Sequence, residues 1–506
     1  MALLFKARTP RVRAFCLPRA PRAATACPHF AAPPLISLTF TREWGTLCAF
    51  PAMISFTNLS RASEIGSNSY LLDLDGTRVV LDCGMHPKKE GLEAKPDFSP
   101  IGAADPDAVF VTHAHLDHIG TLPCLQDEYP SAEVIMTAAT AEIGEAMLHN
   151  SVNVMTAKRQ QEGIIEYPFF THPELDHAAR SWMVRAYNEP FRIGRRGGVL
   201  GTLHDAGHIL GSCGVHLESE SGTTVFYTGD VQFEPQTLIP PADFPQGHVD
   251  ILITECTHGA TQRASEYTRQ AELDRFAKAI REVLEGNGAV LIPVFALGKS
   301  QELLYELNRM KAAGQIPDVP VYFGGLGAKV TELYDKLADS TPRNLPGYRL
   351  REHVETRGLP KQGVAPLIAS PGNIYLVSSG MMSEHTVSHM LAEQVLPHPA
   401  DGILFVGYSD PDSPAGKVKA AVHGEPLRLR AKGGQAHPLN CRVESFDFSG
   451  HATREALVEY ACSLTPKKVV LVHGDPAALL WMQQQLQQAL PHAEIIIPEP
   501  GRAVRL

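Results

Sequence analysis

The first part of the chain alternates short apolar runs with polar turns from residue 53 onward. The segment NSYLLDLDGTRVVLDCG predicts two strands joined by an Asp-Gly turn. The apolar runs in DAVFVT and AEVIMT predict two more strands, and a helix begins between them in IGTLPCLQDEY. This pattern is typical of a sheet whose strands end in loops.

The middle of the chain changes to strand–helix alternation. YTRQAELDRFAKAIREVLE has apolar residues at helical spacing and predicts an amphipathic helix. GAVLIPVF, VPVYFGG and NIYLVSSG predict buried strands, and KSQELLYELNRMKAAG predicts a second helix. Strands that alternate with helices predict a parallel α/β unit. The last part, with CRVESFDFSGH, KKVVLVHGD and a helix from Pro476, returns to single strands with loops.

Composition narrows the class of protein. The chain has 506 residues, 44% of them hydrophobic, which predicts two or more domains. The net charge of −10 argues against a broad nucleic-acid footprint, so a nucleic-acid site would be a local cleft that is basic or lined with metal ions. Nine cysteines without a CxxC pair predict a reducing, cytoplasmic location. No apolar run approaches the roughly 18 residues of a membrane span, so we expect no membrane association.

Residues 1–52 differ from the rest because they contain seven Lys or Arg residues and only one acid, Glu43. One interpretation is an organellar transit peptide, which would make the location organellar. The other is an upstream extension, with Met53 as the true start. Either way, the composition predicts an unstructured segment.

The stretch VTHAHLDHIG carries metal-binding side chains directly after an apolar strand. An extended start would place His113 and His115 on one side, and Asp117 and His118 would project from the first turn of the following helix. Zinc binds imidazole nitrogens and carboxylate oxygens. A surface loop with chance histidines is the alternative, but the HxHxDH spacing after an apolar strand favours a metal site.

Four further candidates, Asp82, His208, Asp230 and His473, also lie at junctions between strands and loops. Taken singly, each is as well explained as an ordinary turn residue. In this order, however, the motifs DCG, HAHLDH, AGH, TGD and VHGD resemble the metallo-β-lactamase superfamily. That resemblance implies an α/β fold, an αβ/βα four-layer sandwich with two zinc ions per chain at one edge.

The resemblance also implies a role for each residue. One zinc would be held by His113, His115 and His208, and the second by Asp117, His118 and His473. Asp230 would bridge the two ions. Asp82 would hold the HAHLDH loop in place, because metal ligands need such supporting contacts.

Asp230 and His473 are 243 positions apart, and the chain between them contains the predicted α/β unit. The segments ITECTHG, PVFALGKSQELL, SSGMM, DFSGHA and VHGD resemble the β-CASP family of nucleic-acid-processing enzymes, which inserts such a domain into the sandwich. The expected organisation is an extension at 1–52, the first part of the metallo-β-lactamase domain at 53–258, an inserted β-CASP α/β domain at 259–432, and the remaining metallo-β-lactamase part at 433–506.

This family resemblance implies a zinc-dependent ribonuclease that acts on single-stranded RNA in RNA processing or decay. Histidine at the position of His473 is typical of the RNA-acting members. The alternatives are a single-strand DNA nuclease, a hydrolase of small esters, and an inactive RNA-binding subunit. The chain retains every expected ligand, which argues against the inactive subunit. Relatives often pair into dimers, which makes a homodimer one possible state, but the sequence shows no interface signature.

The expected chemistry is a two-metal mechanism with a bridging hydroxide. Two zinc ions about 3.5–4 Å apart would activate water and offset the phosphate charge. Asp117, Asp230, Glu255 and His451 are the predicted catalytic residues, with His451 as the proton donor oriented by Glu255. The alternatives are a turn residue for His451 and an acid that pairs with an arginine for Glu255.

Lys299, Ser379, Gly380 and Ser449 are predicted to contact the substrate. For each of them, a plain turn or a solvated helix start is the alternative. Two segments depart from the family pattern: Ser383-Glu384-His385 after SGMM, and the acidic stretch 409–417 after FVGY. Both are expected to face the substrate, where an acidic side chain would repel phosphate.

Overall fold

The computed structural model describes residues 54–194, 197–359, 367–430 and 433–506. The predictions made for residues 1–52 lie outside this part of the chain. Within it, every helix is too short or too polar to cross a bilayer.

The first sheet has seven strands and contains the predicted hairpin. In spatial order its strands are Ala503–Arg505, Ile54–Asn58, Tyr70–Leu74, Thr77–Leu81, Ala108–Phe110, Glu133–Met136 and Met183–Val184. Asp75 and Gly76 connect the hairpin, with φ values of 55° and 88°. Positive φ at both turn residues gives the turn the twist that the paired strands need.

The second sheet also has seven strands and packs on the first through buried apolar side chains from both. In spatial order its strands are Glu494–Ile496, Lys468–Val472, Ile251–Glu255, Thr224–Tyr227, Cys213–Ser219, Val199–Asp205 and Phe191–Ile193. Tyr70 of the first sheet meets Tyr227 of the second edge-on, with ring centroids 5.9 Å apart.

Helices cover the outer faces of both sheets and complete four layers. Leu116–Ile119, Leu122–Glu128, Ala138–Glu162 and His172–Ala179 lie on the side of the first sheet, and Arg454–Leu464 and Pro476–Ala489 cover the second. The pattern did not predict Ala138–Glu162. This helix packs Ile143 against the inserted block and Val152 against the first sheet, so its apolar residues are not confined to one stripe.

The middle of the chain forms a separate five-stranded sheet in which every pairing is parallel, as the alternation predicted. Its strands, in spatial order, are Val321–Tyr322, Ile374–Val377, Val290–Pro293, Gly402–Phe405 and Arg442–Ser445. Its helices are Arg269–Glu285, Lys299–Ala312, Gly325–Lys336, Leu350–His353, Val387–Val395 and Pro414–Ala420. The domain boundaries stay predictions, and the last strand of this sheet, Arg442–Ser445, lies entirely after residue 432.

Short elements complete the described chain. Pro426–Leu427 pairs with His437–Pro438 as a small antiparallel ribbon, and Gly91–Ala94 and Ser99–Ile101 are single turns of 3₁₀ helix.

Candidate metal centre and active site

The predicted metal-binding residues lie at the ends of neighbouring strands in the two sheets. The HAHLDH loop, residues 113–118, follows the strand Ala108–Phe110, and Asp230 follows Thr224–Tyr227. Glu255 is the last residue of Ile251–Glu255, and His473 follows the adjacent parallel strand Lys468–Val472. Because parallel strands end at the same edge, side chains distant in sequence meet there.

The first donor group consists of His113, His115, His208 and Asp230. His115 Nδ1 lies 3.1 Å from both His113 Nε2 and His208 Nε2. Asp230 Oδ2 lies 3.6 Å from His113 Nε2 and 3.7 Å from His208 Nε2. Tetrahedral donors about 2.0–2.1 Å from a zinc ion are about 3.3–3.4 Å apart. The four atoms therefore fit one ion of this size.

The second donor group consists of Asp117, His118 and His473. Asp117 Oδ2 lies 3.5 Å from His473 Nε2 and 3.8 Å from His118 Nε2. Asp230 Oδ1 lies 3.4 Å from His118 Nε2 and 3.3 Å from His473 Nδ1. One carboxylate thus turns an oxygen toward each group.

Asp230 also shows that the site suits a cation. Its Oδ1 is buried and accepts no hydrogen bond from the described residues, a state that costs free energy unless an ion satisfies it. Burial raises the pKa of Asp230, but the charges of His473 and His118 hold this pKa well below its usual range. Burial lowers the pKa of His113 and of His208, so both imidazoles are neutral, as metal ligands must be.

Asp82 lies beneath the HAHLDH loop, fully buried. Its carboxylate accepts hydrogen bonds from Thr112 N at 2.7 Å, Thr112 Oγ1 at 2.9 Å and Tyr227 Oη at 2.7 Å. His118 Nδ1 lies 2.8 Å from Asp82 Oδ2, so the other ring nitrogen, Nε2, faces Asp117 and Asp230. These contacts fix the orientation of the His118 ring.

His451 and Glu255 lie together beside the first donor group. His451 Nδ1 is 3.2 Å from Glu255 Oε2 and 4.0 Å from Asp230 Oδ2, and its ring centroid is 4.5 Å from that of His208. Burial lowers the pKa of His451, but the Glu255 carboxylate has the opposite effect. The result is a pKa raised to about 9. A protonated imidazole held this way can donate a proton to an adjacent atom.

The other predicted contact residues lie at different distances from this centre. Ser449 Oγ accepts the backbone N–H of His451 at 3.0 Å and lies 2.7 Å from His258 Nε2. Lys299 Nζ donates to Gln236 Oε1 at 3.4 Å. Ser379 and Gly380 form a turn after Ile374–Val377, and Ser379 Oγ accepts the N–H of Ser383 within that turn.

The acidic stretch 409–417 was expected to repel the phosphate of the substrate. Asp410 does not fit this expectation. The Asp410 side chain is only 3% exposed and forms an ion pair with Lys88, which lies in the loop after the first-sheet strand Thr77–Leu81. Burial raises the pKa of Asp410, but the Lys88 hydrogen bond and charge lower it below the usual value. The charge of Asp410 is therefore neutralised by a contact with the opposite domain.

Sequence reasoning missed several residues that support the site. Thr112 directly precedes the HAHLDH loop, so its position was a usable signal. Tyr227 reaches Asp82 from 145 positions away, and Gln232 Nε2 donates to the carbonyls of Ser449 and His451 from more than 200 positions away. No local pattern marks these two residues.

Three family models match the chain. One described as "Metallo-beta-lactamase superfamily" covers residues 63–257, one described as "Beta-Casp domain" covers 300–418, and one described as "Zn-dependent metallo-hydrolase RNA specificity domain" covers 436–498. The expected fold class, a sandwich with an inserted domain, is confirmed by these matches together with the sheets described above.

Individual proteins agree with the family models. The Drosophila melanogaster protein named cleavage and polyadenylation specificity factor 73 is 28% identical over 450 residues, which are 86% of this chain and 62% of that protein. The ribonuclease TTHA0252 of Thermus thermophilus is 30% identical over 461 residues, which are 88% of this chain and 98% of that protein.

The chain spans between 54% and 62% of the length of the Drosophila protein and of similar proteins from Dictyostelium discoideum and Schizosaccharomyces pombe. A crystal structure of a protein of unknown function from Enterococcus faecalis covers 90% of this chain and 100% of its own, with a TM-score of 0.51 and 15% identity, and so shares the fold. On these matches, the chain belongs to the β-CASP family of the metallo-β-lactamase superfamily.

Proposed function

We propose that this protein is a zinc-dependent ribonuclease that hydrolyses RNA phosphodiester bonds in RNA processing or decay. The observation that carries the proposal is the position of Asp230, whose two oxygens face two separate donor groups next to the His451–Glu255 pair. The match to an RNA specificity domain spans 436–498, which includes both His451 and His473. A relative 30% identical to the chain bears the name ribonuclease.

The residues would hold two zinc ions as the family resemblance implies. One ion would be bound by His113, His115 and His208, and the other by Asp117, His118 and His473, with Asp230 shared by both. Bound zinc lowers the pKa of water and offsets the charge of the phosphate oxygens. Asp82 would keep His118 in the orientation that this requires.

The chain's own acid would be His451. Glu255 holds its Nδ1, so Nε2 would carry the proton that passes to the leaving sugar oxygen. Glu255 is a positioning residue in this scheme, because it acts through the imidazole. Ser449 would support the same step, since its hydroxyl holds the backbone N–H of His451.

We propose single-stranded RNA as the substrate, with Lys299, Ser379 and Gly380 in contact with its backbone. A homodimer and a cytoplasmic location stay predictions. Light scattering of the purified protein measures the first, and imaging of the tagged full chain in cells measures the second.

The test compares substrates and variants of the full chain. We expect zinc-loaded protein to cut a labelled single-stranded RNA faster than DNA of the same sequence. In His451→Ala, RNA cleavage should fall about 10²- to 10⁴-fold while two zinc ions per chain remain by mass spectrometry. Glu255→Gln should cause a smaller loss, because the imidazole remains in place.

His248→Ala is the matched control, because His248 is a half-exposed histidine that contacts Thr465 and Asp250 on the surface. It should leave cleavage unchanged. Preference for DNA, or rapid turnover of a small ester beside intact RNA, would contradict the proposal.

A further inference from the structure

A cavity of about 270 Å³ opens beside the candidate metal centre, where the chain passes between the paired sheets and the inserted sheet. Its lining includes Gln232, Gln236, Arg263, Tyr267, Arg269 and Ser449. The volume corresponds to that of about nine waters, and Ser449 is two residues from His451. The cavity is therefore next to the candidate proton donor without being part of the donor groups.

Positive charge collects near one end of the cavity, where Arg269 forms part of the lining and Lys299 contacts the lining residue Gln236. Arg269 Nη2 donates to Thr237 Oγ1 at 3.0 Å and reaches Glu302 Oε2 only at 3.4 Å. Glu302 already accepts the backbone N–H of Leu238 at 2.8 Å. Lys299 forms no ion pair with a carboxylate among the described residues, and its Nζ contacts Gln236 Oε1. Two cations thus lie near Glu302, which is already hydrogen-bonded, while Asp447, which also acts on Lys299, is paired with Arg263.

The pKa of Lys299 agrees with this imbalance. Burial, and then the charge of Arg269, lower its pKa to about 8. The ammonium is still mostly protonated at neutral pH. An anion placed beside it would be stabilised by charge-assisted hydrogen bonds.

The other end of the cavity is planar and carries one guanidinium against two carboxylates. The Arg263 guanidinium lies over the Tyr267 ring, 4.3 Å from its centroid. Arg263 Nε donates to Asp447 Oδ2 at 3.0 Å, and its Nη1 donates to Glu234 Oε2 at 2.8 Å. Its charge is therefore already matched, while guanidinium and aromatic planes are the groups on which RNA bases stack.

We propose that this cavity binds one nucleotide of the RNA strand that bears the leaving oxygen, with its phosphate beside Lys299 and Arg269 and its base beside Arg263 and Tyr267. This rests on the proposed ribonuclease function. The connection to the reaction is short, because Gln236 contacts Lys299 and also donates from its Nε2 to the carbonyl of His208 at 2.7 Å. A phosphate bound here would position the strand next to His451.

The test removes charge from the RNA and from the protein in turn. Once the cut site is mapped, each neighbouring linkage is replaced singly by a neutral methylphosphonate. In the unchanged protein, the replacement one linkage from the cut, on the side of the leaving oxygen, should lower kcat/KM roughly ten- to hundredfold. Replacement on the other side should have a smaller effect.

In Lys299→Gln and in Arg269→Gln, the same neutral linkage should lower kcat/KM by less than about threefold, because the contact between the cation and the phosphate is already lost. Lys278→Gln is the control, because it removes a positive charge from an exposed position of the helix Arg269–Glu285. In Lys278→Gln, the neutral linkage should still lower kcat/KM as much as it does in the unchanged protein. If Lys299→Gln and Arg269→Gln keep the full penalty as well, the proposed subsite is wrong.

A binding measurement separates this proposal from the ribonuclease proposal. Fluorescence anisotropy of the RNA series with zinc-loaded His451→Ala protein should show weaker binding of the same modified RNA. RNA that binds and is cut, but with equal penalties at every linkage, overturns the subsite alone. RNA that neither binds nor is cut overturns both proposals. If a cavity variant does not fold, the modified RNAs on the unchanged protein still decide the result.

Discussion

Two sides of the site differ in how their side chains are held. The metal-facing side consists of the proposed metal ligands and Asp82, at the strand ends of the paired sheets. The inserted side is formed by the loops of the inserted sheet, which include Ser379 and Asp410. On the metal-facing side, residues end strands of two packed sheets, and the Asp82 carboxylate contacts Thr112, His118 and Tyr227. On the inserted side, Ser379 hydrogen-bonds within its own turn, and Asp410 contacts the opposite domain through one ion pair. The first side is held by hydrogen bonds within the paired sheets, whereas the second depends on how two domains pack.

This comparison makes Asp230→Ala the change with the largest expected effect. Both donor groups would lose an oxygen, so metal content should fall below one ion per chain. RNA cleavage should fall at least about 10³-fold, more than the loss of one hydrogen-bond donor usually costs. Metal analysis and cleavage assays measure both. Asp274→Ala, on an exposed helix face, is the control. If Asp230→Ala retained two zinc ions per chain, the proposal that both donor groups share Asp230 would be wrong.

Asp82→Asn should have an intermediate effect, because it alters the support of the ligands and leaves every proposed ligand in place. We expect zinc affinity to fall about 10- to 100-fold, measured by competition with a chelator. Tyr227→Phe removes one of the donors to Asp82 and should cost less. Unchanged zinc affinity in Asp82→Asn would mean that the metal-facing side does not depend on this carboxylate.

Lys88→Met should have the smallest effect, since Lys88 is 42% exposed and solvent screens its charge. We expect a loss of about 1 kcal/mol in unfolding free energy and a change of a few fold in cleavage rate. Asp410 has a lowered pKa, so the pair stabilises the fold above the ordinary pKa of about 3.9 and loses this contribution as the pH falls below it. Thermal melts from pH 7 to 3 should therefore converge for the two proteins.

The Asp410→Asn variant and the double variant complete the cycle for this pair. If Lys88→Met lowered the cleavage rate as much as Asp82→Asn does, the inserted side would be held as firmly as the metal-facing side.

The same difference explains what the sequence could predict. The motifs on the metal-facing side follow apolar strands directly, so the position of His113 or Asp230 at a strand end can be deduced from the local pattern. The placement of Gln232 beside Ser449, or of Lys88 beside Asp410, follows from the packing of segments more than 200 positions apart. The helix Ala138–Glu162 was missed for a related reason, because it packs on two partners.

The hydrogen bonds from Gln232 to the His451 segment have one more consequence. Together with the contacts of Gly450 O with His208 Nδ1 at 2.7 Å and of Val231 O with Ala452 N at 2.6 Å, they anchor the returning linker to the lactamase core. If the inserted domain swings open to admit a strand, His451 stays with the proposed metal ligands. Strand entry and release would then need only a hinge motion, and the proposed acid and metal ligands would remain one assembled unit.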